Sequence, residues 1–449
     1  MIGIAARSGI ALGLNLQQGT SVHDVKSEEA RKQLWWSIFR LENLLSVMTG
    51  RVSCLGSASC SASPPTLIPI LESAGPDIHQ LINEHRWTIQ LGKKQMDSQR
   101  NFLKSLPPNP SIYFFYMVDL SLIAHAITNE VYAIDSSRAG WGRVESRIAF
   151  YSKKVDYWVS TLHPSFCFQD SHDNPIPRTL STFQSSLALN YYSARIVLNR
   201  PCLNSHAFGK KNGSRPSRSR FGNMTALNCL RASLAVMTLL PDQPDLAWCY
   251  EVLQWWDLLH IITQATVILL LDISIGPVPT RSDEIAVPVE SADIVWIRAK
   301  KGLSWLHCLG KTSEAARRAF QFCNSCVRRM ATTKGLDLRG IPSTTGSHQT
   351  SRDPNFPWLR DSLEENAVTP QQEMHGRGYS KSMDSPNVFL SGTRTDNAPF
   401  QGSQEAQSAL NRMPSVSEML DADIDMSEFT SLPDANIEDL LLAIVGTNA

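Results

Sequence analysis

Four residues between positions 307 and 326 have the donor types of a zinc site. His307 and Cys308 are adjacent, and Cys323 and Cys326 form a Cys-x-x-Cys pair. Zinc takes such donors, but an adjacent pair cannot easily reach one tetrahedral centre together. The second pair also falls on an apolar helical face, so we interpret it as two buried thiols and predict no metal site. That face consists of Ala316, Ala319, Phe320, Cys323, Val327 and Met330.

A second group of reactive side chains lies earlier in the chain. Asp170, His172 and Asp173 share the Pro-flanked stretch "FQDSHDNP", but no partner motif accompanies them. The sequence contains no Gly-x-Ser-x-Gly motif, and no glycine-rich phosphate loop follows a strand. We therefore predict that the chain is not an enzyme and assign no catalytic residue. An α-helical enzyme stays open as an alternative, because a missing motif is weak evidence.

The composition argues against some classes of protein. The 449 residues carry 42 basic and 42 acidic side chains, and this balance argues against broad electrostatic binding to DNA or to an anionic membrane. The hydrophobic fraction of 42% is enough for a sizeable core. Nine irregularly spaced cysteines favour reduced thiols in a nucleus or cytosol over a disulfide framework.

Apolar periodicity and polar breaks predict helices through most of residues 1–330, and strand signals are weak. The predicted fold class is therefore all-α, a domain of many helices. In the first helix one face consists of Ala6, Ile10, Gly13 and Leu14. The other predicted helices cover 28–49, 76–104, 111–136, 140–162, 178–199, 221–240, 246–273, 289–309 and 312–331.

One apolar stretch, 252–272, is long enough to suggest a membrane span. Gln254, Asp257, His260 and Gln264 recur in it at intervals of 3, 3 and 4, which places them on one helical face. We therefore interpret the stretch as an amphipathic core helix and expect no membrane partner.

Residues 28–51, "EEARKQLWWSIFRLENLLSVMTGR", place two adjacent tryptophans in a charged helix. Nucleic-acid surfaces set aromatic residues in basic grooves, whereas acidic and basic side chains balance here. We therefore predict that Trp35 and Trp36 pack in the core, beside an apolar stripe. Gly50 is expected to end the helix in the left-handed conformation. The predicted stripe consists of Leu34, Ile38, Leu41, Leu45 and Met48.

This stretch resembles the fungal-specific transcription factor domain, the middle homology region of fungal zinc-cluster regulators. A second block, "LALNYYSARIVLNRPCL" at 187–203, is similar to the family's helix that ends in Arg-Pro, and "WWDLLHIITQATVILLL" at 255–271 resembles a third. The resemblance spans residues 1–310 in patches. The matched motif residues are Arg31, Leu34, Trp35, Trp36, Ser46, Gly50, Arg51, Arg200 and Pro201.

The resemblance implies a helical regulatory domain of a nuclear transcriptional regulator, with zinc only in a separate DNA-binding module. That module needs six closely spaced cysteines, but Cys54 is the first cysteine in this sequence. Glu42, Val52 and Asn15 also replace the family's usual Asp, Pro and His. We therefore expect the domain at 1–331 to be N-terminally incomplete, so that DNA is reached only through a missing module or a partner.

Residues 209–220, "GKKNGSRPSRSR", form a basic cluster without an acid. The cluster is a candidate nuclear-import signal or a minor DNA contact. Its Gly, Ser and Pro residues suit a solvated loop between two helices equally well. The basic residues are Lys210, Lys211, Arg215, Arg218 and Arg220.

The composition changes after residue 331. Residues 332–412 are rich in Ser, Thr, Pro and Gly and predict a disordered linker. Residues 413–449 mix acidic and large apolar side chains without a basic one, which is typical of an activation segment that docks on a coactivator or the transcription machinery. The alternative is a helix that packs back on the main domain. One helical face of this segment consists of Ile437, Leu440, Leu441 and Ile444.

The function that these observations favour is transcriptional regulation of the fungal zinc-cluster type, in the nucleus, at metabolic or secondary-metabolite genes. The chain contributes the regulatory and activation parts, and the helical domain relays a metabolite or partner signal. A homodimer is among the expected partners. The main alternative is a helical interaction or small-molecule-binding regulator without direct DNA contact.

We predict that the 449-residue chain alone does not bind DNA sequence-specifically. It has no net charge, and it has no base-reading element or basic stripe outside residues 209–220. A fluorescence-anisotropy titration with a defined DNA site tests this expectation. Saturable binding that survives both physiological salt and a scrambled competitor would contradict it.

Overall fold

A computed structural model describes most of the chain up to residue 342. Its regular elements are helical throughout the described residues, as the sequence predicts. The described ranges are 2–17, 25–51, 53–56, 60–67, 86–133, 140–169, 179–211, 220–276 and 291–342, together with Leu441; at 25–26, 93 and 204–211 only the backbone is described.

Eleven α-helices lie in the described ranges, with short 3₁₀ turns at Thr88–Gln90 and Pro164–Phe166. The helices are α1 (Ile2–Ala11), α2 (Val25–Thr49), α3 (Lys93–Ser105), α4 (Pro110–Val131), α5 (Trp141–Thr161), α6 (Thr182–Lys211), α7 (Arg220–Leu239), α8 (Leu246–Val252), α9 (Trp255–Ile275), α10 (Ala292–Leu309) and α11 (Glu314–Lys334).

Two predicted helices are wrong in extent because the backbone leaves the α-helical conformation. Residues 86–92 are not α-helical: Trp87 and Leu91 are extended on either side of the 3₁₀ turn Thr88–Gln90. Trp87 stacks on Phe115 with ring centroids 5.2 Å apart, and the N–H of Thr88 donates to the Asp119 carboxylate at 2.8 Å. The predicted helix 246–273 is two helices, α8 and α9, because Leu253 and Gln254 have extended backbone conformations.

The first predicted helix also differs from expectation. Ala6 and Leu14 are buried, but Ile10 is 42% exposed. The helix ends at Ala11, and Gly13 has a φ of +63°. Because the chain leaves the helical path at this glycine, the four predicted residues do not share one face.

Helix α9 is the centre of the fold. It packs against α6, α7, α8, α10 and α11, and only four of its 21 residues are not buried. Two helices of the described chain, α4 and α9, have the length and apolar composition of a membrane span, and 83% of the most apolar window of α9 is buried inside the protein. This burial agrees with the prediction of a core helix.

Helix α4 is the corresponding centre of the N-terminal half. It packs against α2, α5 and α6, while α1 lies on α2 and α3 lies on α5. Helix α6 contacts both α4 and α9 and joins the two halves. The four helices α2, α4, α6 and α9 therefore meet in the middle of the domain.

The apolar face predicted for the helix 312–331 is confirmed, since all six of its residues are buried in α11. The helix continues beyond residue 331 to Lys334 and ends at Gly335, whose φ is +65°. Leu336, Leu338 and Ile341 then pack on the core. The helical domain thus extends through the last residues described before Leu441.

Gly302 on α10 lies where this helix approaches α9 and α7. A Cβ atom at this position would come closer than 3.0 Å to Thr266 Oγ1 and to Met237 Cε. Met237 is flexible, but Thr266 is fully buried and its hydroxyl donates to the Ile262 carbonyl at 2.7 Å. The close approach of the helices therefore requires glycine.

We expect Gly302→Ala to lower the free energy of unfolding by about 1–3 kcal/mol, because the added methyl group overpacks the helix crossing. Gly142→Ala is the matched control: Gly142 is an exposed helical glycine, and an added methyl group would have nothing within 4 Å of it, so alanine should be neutral or stabilising there. Urea denaturation measures both changes. Equal effects of the two substitutions would contradict the packing argument.

Candidate functional site

The tryptophan pair lies in the core, as predicted, but the buried face of α2 is not the predicted stripe. Trp35 and Trp36 are 2% and 3% exposed, whereas Leu34 is 51% exposed. Two indoles bury more area than the leucines of the stripe, and this area decides which face turns inward. The other members of the stripe are only partly buried: Ile38, Leu41, Leu45 and Met48.

Each indole also fastens the non-helical segment 60–67 to α2. Trp35 Nε1 donates to Cys60 Sγ at 3.1 Å, and Trp36 Nε1 donates to the Ser63 carbonyl at 3.0 Å. The tryptophans therefore provide apolar area and two hydrogen bonds to a segment that has no regular structure of its own.

Two buried carboxylates of α2 hold the same region of the chain. Glu29 accepts from the N–H of Thr66 at 3.0 Å. Glu42 accepts from the N–H of Cys54 at 2.8 Å and from the Ser46 hydroxyl at 3.0 Å. Both carboxylates are buried, which sequence reasoning missed because charged helical residues usually face solvent.

Other residues of the matched motif determine how α2 meets its neighbours. Arg31 Nη2 donates to the carbonyls of Leu12 and Gly13, at 3.0 and 3.3 Å, just after α1 ends. Gly50 ends α2 with a φ of +62°, which confirms the predicted left-handed conformation. Arg51 follows with an exposed side chain.

The Arg-Pro pair lies inside α6, although the sequence predicted that the helix would end at residue 199. Pro201 has no N–H to donate to the Val197 carbonyl, one turn earlier. The Tyr132 hydroxyl donates to this carbonyl at 2.5 Å instead, and Arg200 Nε donates to the Tyr132 oxygen at 3.2 Å. The Arg200 guanidinium also lies over the Tyr132 ring, 5.1 Å from its centroid. The helix can continue because a side chain from outside replaces the missing donor.

We expect Tyr132→Phe to cost about 1–3 kcal/mol of unfolding free energy, because the Val197 carbonyl then has no donor. In a Pro201→Ala background the restored N–H can bond this carbonyl, so the same substitution should cost about 1 kcal/mol less. Tyr157→Phe, which removes a hydroxyl bonded to the Met96 carbonyl, should cost the same in both backgrounds. If Tyr132→Phe lowers the unfolding free energy equally in the two backgrounds, this explanation is wrong.

Only part of the basic cluster falls within the described residues. Lys210 and Lys211 lie in the last turn of α6, where only the backbone is described, and Arg220 begins α7. Arg215 and Arg218 lie outside the described residues. The two flanking helices agree with the expectation that the cluster connects two helices.

The acidic C-terminal segment is represented by one residue. Leu441 is helical and fully buried in the hydrophobic core of the domain. Ile437, Leu440 and Ile444 lie outside the described residues. Leu441 is thus the one residue of this segment for which the structure describes a contact with the domain.

Of the two groups of reactive side chains found in the sequence, the structure describes only the one that contains Cys323 and Cys326. Asp170, His172 and Asp173 lie outside the described residues. Cys323 and Cys326 are buried, as predicted, and burial raises the pKa of both thiols. Within the described ranges, no group of three or more His, Cys, Asp or Glu side chains could hold a metal ion.

A cavity lies where α2, α4, α6 and α9 meet. It contains about 580 Å³ of empty space, counted to its open mouth. Aliphatic side chains such as Leu44, Ile127 and Val197 form much of its wall, and Arg40 and His260 line it from opposite halves of the domain.

Several polar side chains of this wall already have partners within the protein. Asn43 Nδ2 donates to the Ser121 carbonyl at 3.2 Å, and the Ser121 hydroxyl donates to the Met117 carbonyl at 2.8 Å. Asn190 Nδ2 donates to the Ser186 carbonyl at 2.9 Å. These donors are therefore engaged in holding the helices.

Two cavity-lining nitrogens, Arg40 Nη2 and His260 Nε2, are buried without a hydrogen-bond partner among the described residues. The same holds for both carboxylate oxygens of Asp257 and for Gln264 Nε2, one turn before and one turn after His260 on α9. Buried polar atoms without partners are rare in folded proteins, because each costs its lost hydration. Two such nitrogens, those of Arg40 and His260, line the same cavity, which makes this the candidate functional site.

The predicted polar face of α9 is therefore real, but most of it does not face solvent. Gln254 is exposed at the start of the helix, while Asp257 is 1% and Gln264 8% exposed. The helix is not amphipathic in the expected sense, because neighbouring helices cover its polar side as well as its apolar side. The polar stripe lies at the helix junction.

The electrostatics of the site follow from this burial. Burial raises the pKa of Asp257 to about 6, and the nearby Arg40 guanidinium partly offsets the effect. Burial, reinforced by the positive charge of Arg200, lowers the pKa of His260 to about 4. The imidazole is therefore neutral at neutral pH.

Comparison with known proteins shows what this chain is similar to. Residues 1–160 match the fungal specific transcription factor domain. Over these residues the chain is similar to a family of fungal transcription regulators. The match includes the Trp35–Trp36 pair and Arg40, and it confirms the resemblance drawn from the sequence.

Two fungal relatives extend the similarity beyond this domain. The chain is 34% identical to the transcription regulator galc of Aspergillus niger over 374 residues, which cover 76% of this chain and 45% of the relative. It is 24% identical to an uncharacterized transcriptional regulatory protein of Schizosaccharomyces pombe over 399 residues, or 86% of this chain and 42% of the relative. The chain thus spans less than half the length of either relative. No solved structure matches it.

Proposed function

We propose that this chain is the regulatory and effector part of a nuclear transcriptional regulator, which controls metabolic or secondary-metabolite genes. The observation that carries the proposal is the similarity to a transcription regulator over 374 residues, three quarters of this chain. DNA contact is assigned to a zinc-cluster module or to a partner, since zero net charge and one short basic cluster give this chain little to bind DNA with.

The helical domain is proposed to receive a signal and is not proposed to catalyse a reaction. Its central cavity has unpaired polar groups but no described pair in which an activated nucleophile contacts a base. The second candidate function, a small-molecule-binding regulator without direct DNA contact, is supported by the same cavity. The two candidates differ in how the protein reaches DNA and agree on the role of this domain.

The acidic segment 413–449 is proposed to activate transcription. Its acidic residues keep it soluble and extended, and its apolar face can fold against a hydrophobic groove of a coactivator. One residue of this face, Leu441, is buried in the domain core. A coactivator would therefore compete with the domain for the same leucine.

We expect residues 413–449, fused to an unrelated DNA-binding domain, to activate a reporter gene. Leu440→Ala with Leu441→Ala should abolish most of this activity, because apolar contact provides most of the affinity. Glu438→Gln with Asp439→Asn is the matched control and should weaken activity less, because the acids mainly raise the encounter rate.

The whole chain, fused in the same way, tests the wider proposal. Reporter activation by this fusion supports a role in transcription. If both fusions are silent although they are expressed and nuclear, the proposed function is wrong. If only the whole-chain fusion activates, activation belongs to the helical domain and the acidic segment is a packed C-terminus.

A further inference from the structure

We propose that the acidic segment 413–449 docks on one end of the hairpin formed by α10 and α11, and that this contact withholds the segment from a coactivator. The docking itself goes beyond the proposed function. Its regulatory consequence rests on that function, because it requires the segment to activate transcription.

The last two helices of the domain form an antiparallel hairpin. Four residues join α10 to α11, and the two helices pack against each other. Trp296 Nε1, near the start of α10, donates to the Asp337 carbonyl at 3.3 Å, just after α11 ends. The start of α10 therefore lies beside the end of α11. We call the surface at this place, residues 293–300 and 328–339, the hairpin end.

Basic side chains outnumber acidic ones on the hairpin end by six to two. Arg328, Lys334 and Arg339 are exposed. The nearby Asp242 is paired with Lys301 at 2.8 Å, so this pair leaves the balance unchanged. Because the positive charge is spread over two helices, it forms no continuous run in the sequence. The basic residues are Arg298, Lys300, Arg328, Arg329, Lys334 and Arg339, and the acidic ones are Asp293 and Asp337.

The hairpin end also exposes large apolar side chains. Ile294 and Ile297, which lie three positions apart on α10, are 39% and 58% exposed. Such side chains are not needed on a purely solvated basic surface. The surface therefore suits a partner that has both acidic groups and large apolar side chains.

The segment 413–449 of the same chain has this complementary composition. It carries eight acidic side chains and no basic one, and large apolar residues lie between the acids. One of these apolar residues, Leu441, is buried in the core of the domain, so the segment makes at least one contact with it.

The course of the chain brings the segment to this surface. Ile341 still packs on the core, directly after the hairpin end, and the described domain ends one residue later. Seventy residues, 343–412, separate this point from the segment. A chain of that length can return the segment to the hairpin end, and the covalent link keeps its effective concentration high.

Nucleic acid is the other polyanion that a basic surface attracts. Its outward groups are phosphates, which leave Ile294 and Ile297 without apolar contacts. The acidic segment can pair the basic side chains and also cover the two isoleucines. The segment is therefore the occupant that this surface fits better.

Docking and coactivator binding exclude each other. The face that consists of Ile437, Leu440, Leu441 and Ile444 is the proposed contact with a coactivator, and Leu441 is already buried in the domain. A coactivator that takes this whole face must first displace the segment. Weaker docking therefore raises the fraction of the segment that is available.

Carbodiimide cross-linking of the full 449-residue chain tests where the segment docks. The reagent joins a lysine to a carboxylate that it contacts, and Lys300 and Lys334 are the lysines of the hairpin end. Mass spectrometry should find both cross-linked within one chain to acidic residues of 413–449. Lys153, exposed on α5, is the internal control and should not be. Salt at 1 M should lower the yield at least twofold, because it screens the charges.

Charge reversal tests which side chains hold the segment. Arg328→Glu with Arg339→Glu should lower the cross-linking yield at least fivefold and raise the reporter activity of the whole-chain fusion at least twofold. The neutral pair Arg328→Gln with Arg339→Gln should give intermediate values. Arg143→Glu with Lys153→Glu reverses two exposed charges of α5 and is the matched control, which should change neither the yield at the hairpin end nor the reporter activity. Circular dichroism checks that each variant is folded.

The other outcomes contradict the proposal in distinct ways. If the lysines of the hairpin end give no cross-link to the segment, or if the folded Glu pair leaves the yield unchanged, the segment does not dock there. If the Glu pair instead weakens binding of the chain to non-specific DNA and cross-links are absent, the surface contacts phosphates. If docking is lost and reporter activity stays unchanged, the contact does not withhold the segment. Cross-linking uses no reporter, so silent fusions with intact cross-links would count against the proposed function alone.

Discussion

Helix α9 is enclosed by its neighbours, and every polar side chain on it must therefore find a partner inside the protein or remain unpaired. Its aliphatic residues pack against α6, α7, α10 and α11. At the crossing with α10 the two helices approach so closely that Gly302 is required. Asp257, His260 and Gln264 do not satisfy it with the described protein atoms alone. The hydrophobic burial that stabilises the domain thus also creates the unpaired groups at its centre.

The N-terminal half is organised by a different kind of contact. Two indole N–H groups and two buried carboxylates of helix α2 bond to the non-helical chain that follows it. This chain has no apolar periodicity, so polar side chains hold it in place. Tyr132 stabilises α6 in a similar way, because its hydroxyl donates to the carbonyl that Pro201 leaves without a donor. These contacts give residues of the motif a physical role. Trp35 and Trp36 hold the non-helical segment 60–67, Ser46 donates to the Glu42 carboxylate that holds Cys54, and Arg200 donates to the Tyr132 oxygen beside the interruption at Pro201.

The family and the cavity together suggest how such a domain can be regulatory. Its relatives are named as transcription regulators and are more than twice as long as the part this chain matches. Under the proposed function this domain receives the regulatory signal. The junction of α2, α4, α6 and α9 is the candidate place for it, because unpaired nitrogens of Arg40 and His260 line the cavity there.

The sequence by itself determined the helical class, the core position of 255–275, the buried thiols of α11 and the left-handed end of α2 at Gly50. Each of these depends on local periodicity or on the conformation of a single residue. It also showed Asp257, His260 and Gln264 in register on one helix. The tertiary structure decided which way that register faces, and it left Leu34 exposed beside the tryptophan pair, whose burial the sequence predicts. It also brought Arg40 to the same cavity as His260, which no local signal shows because the two residues lie 220 positions apart in the sequence. Such long-range placement depends on how whole helix surfaces fit together, and the spacing within one helix does not contain that information.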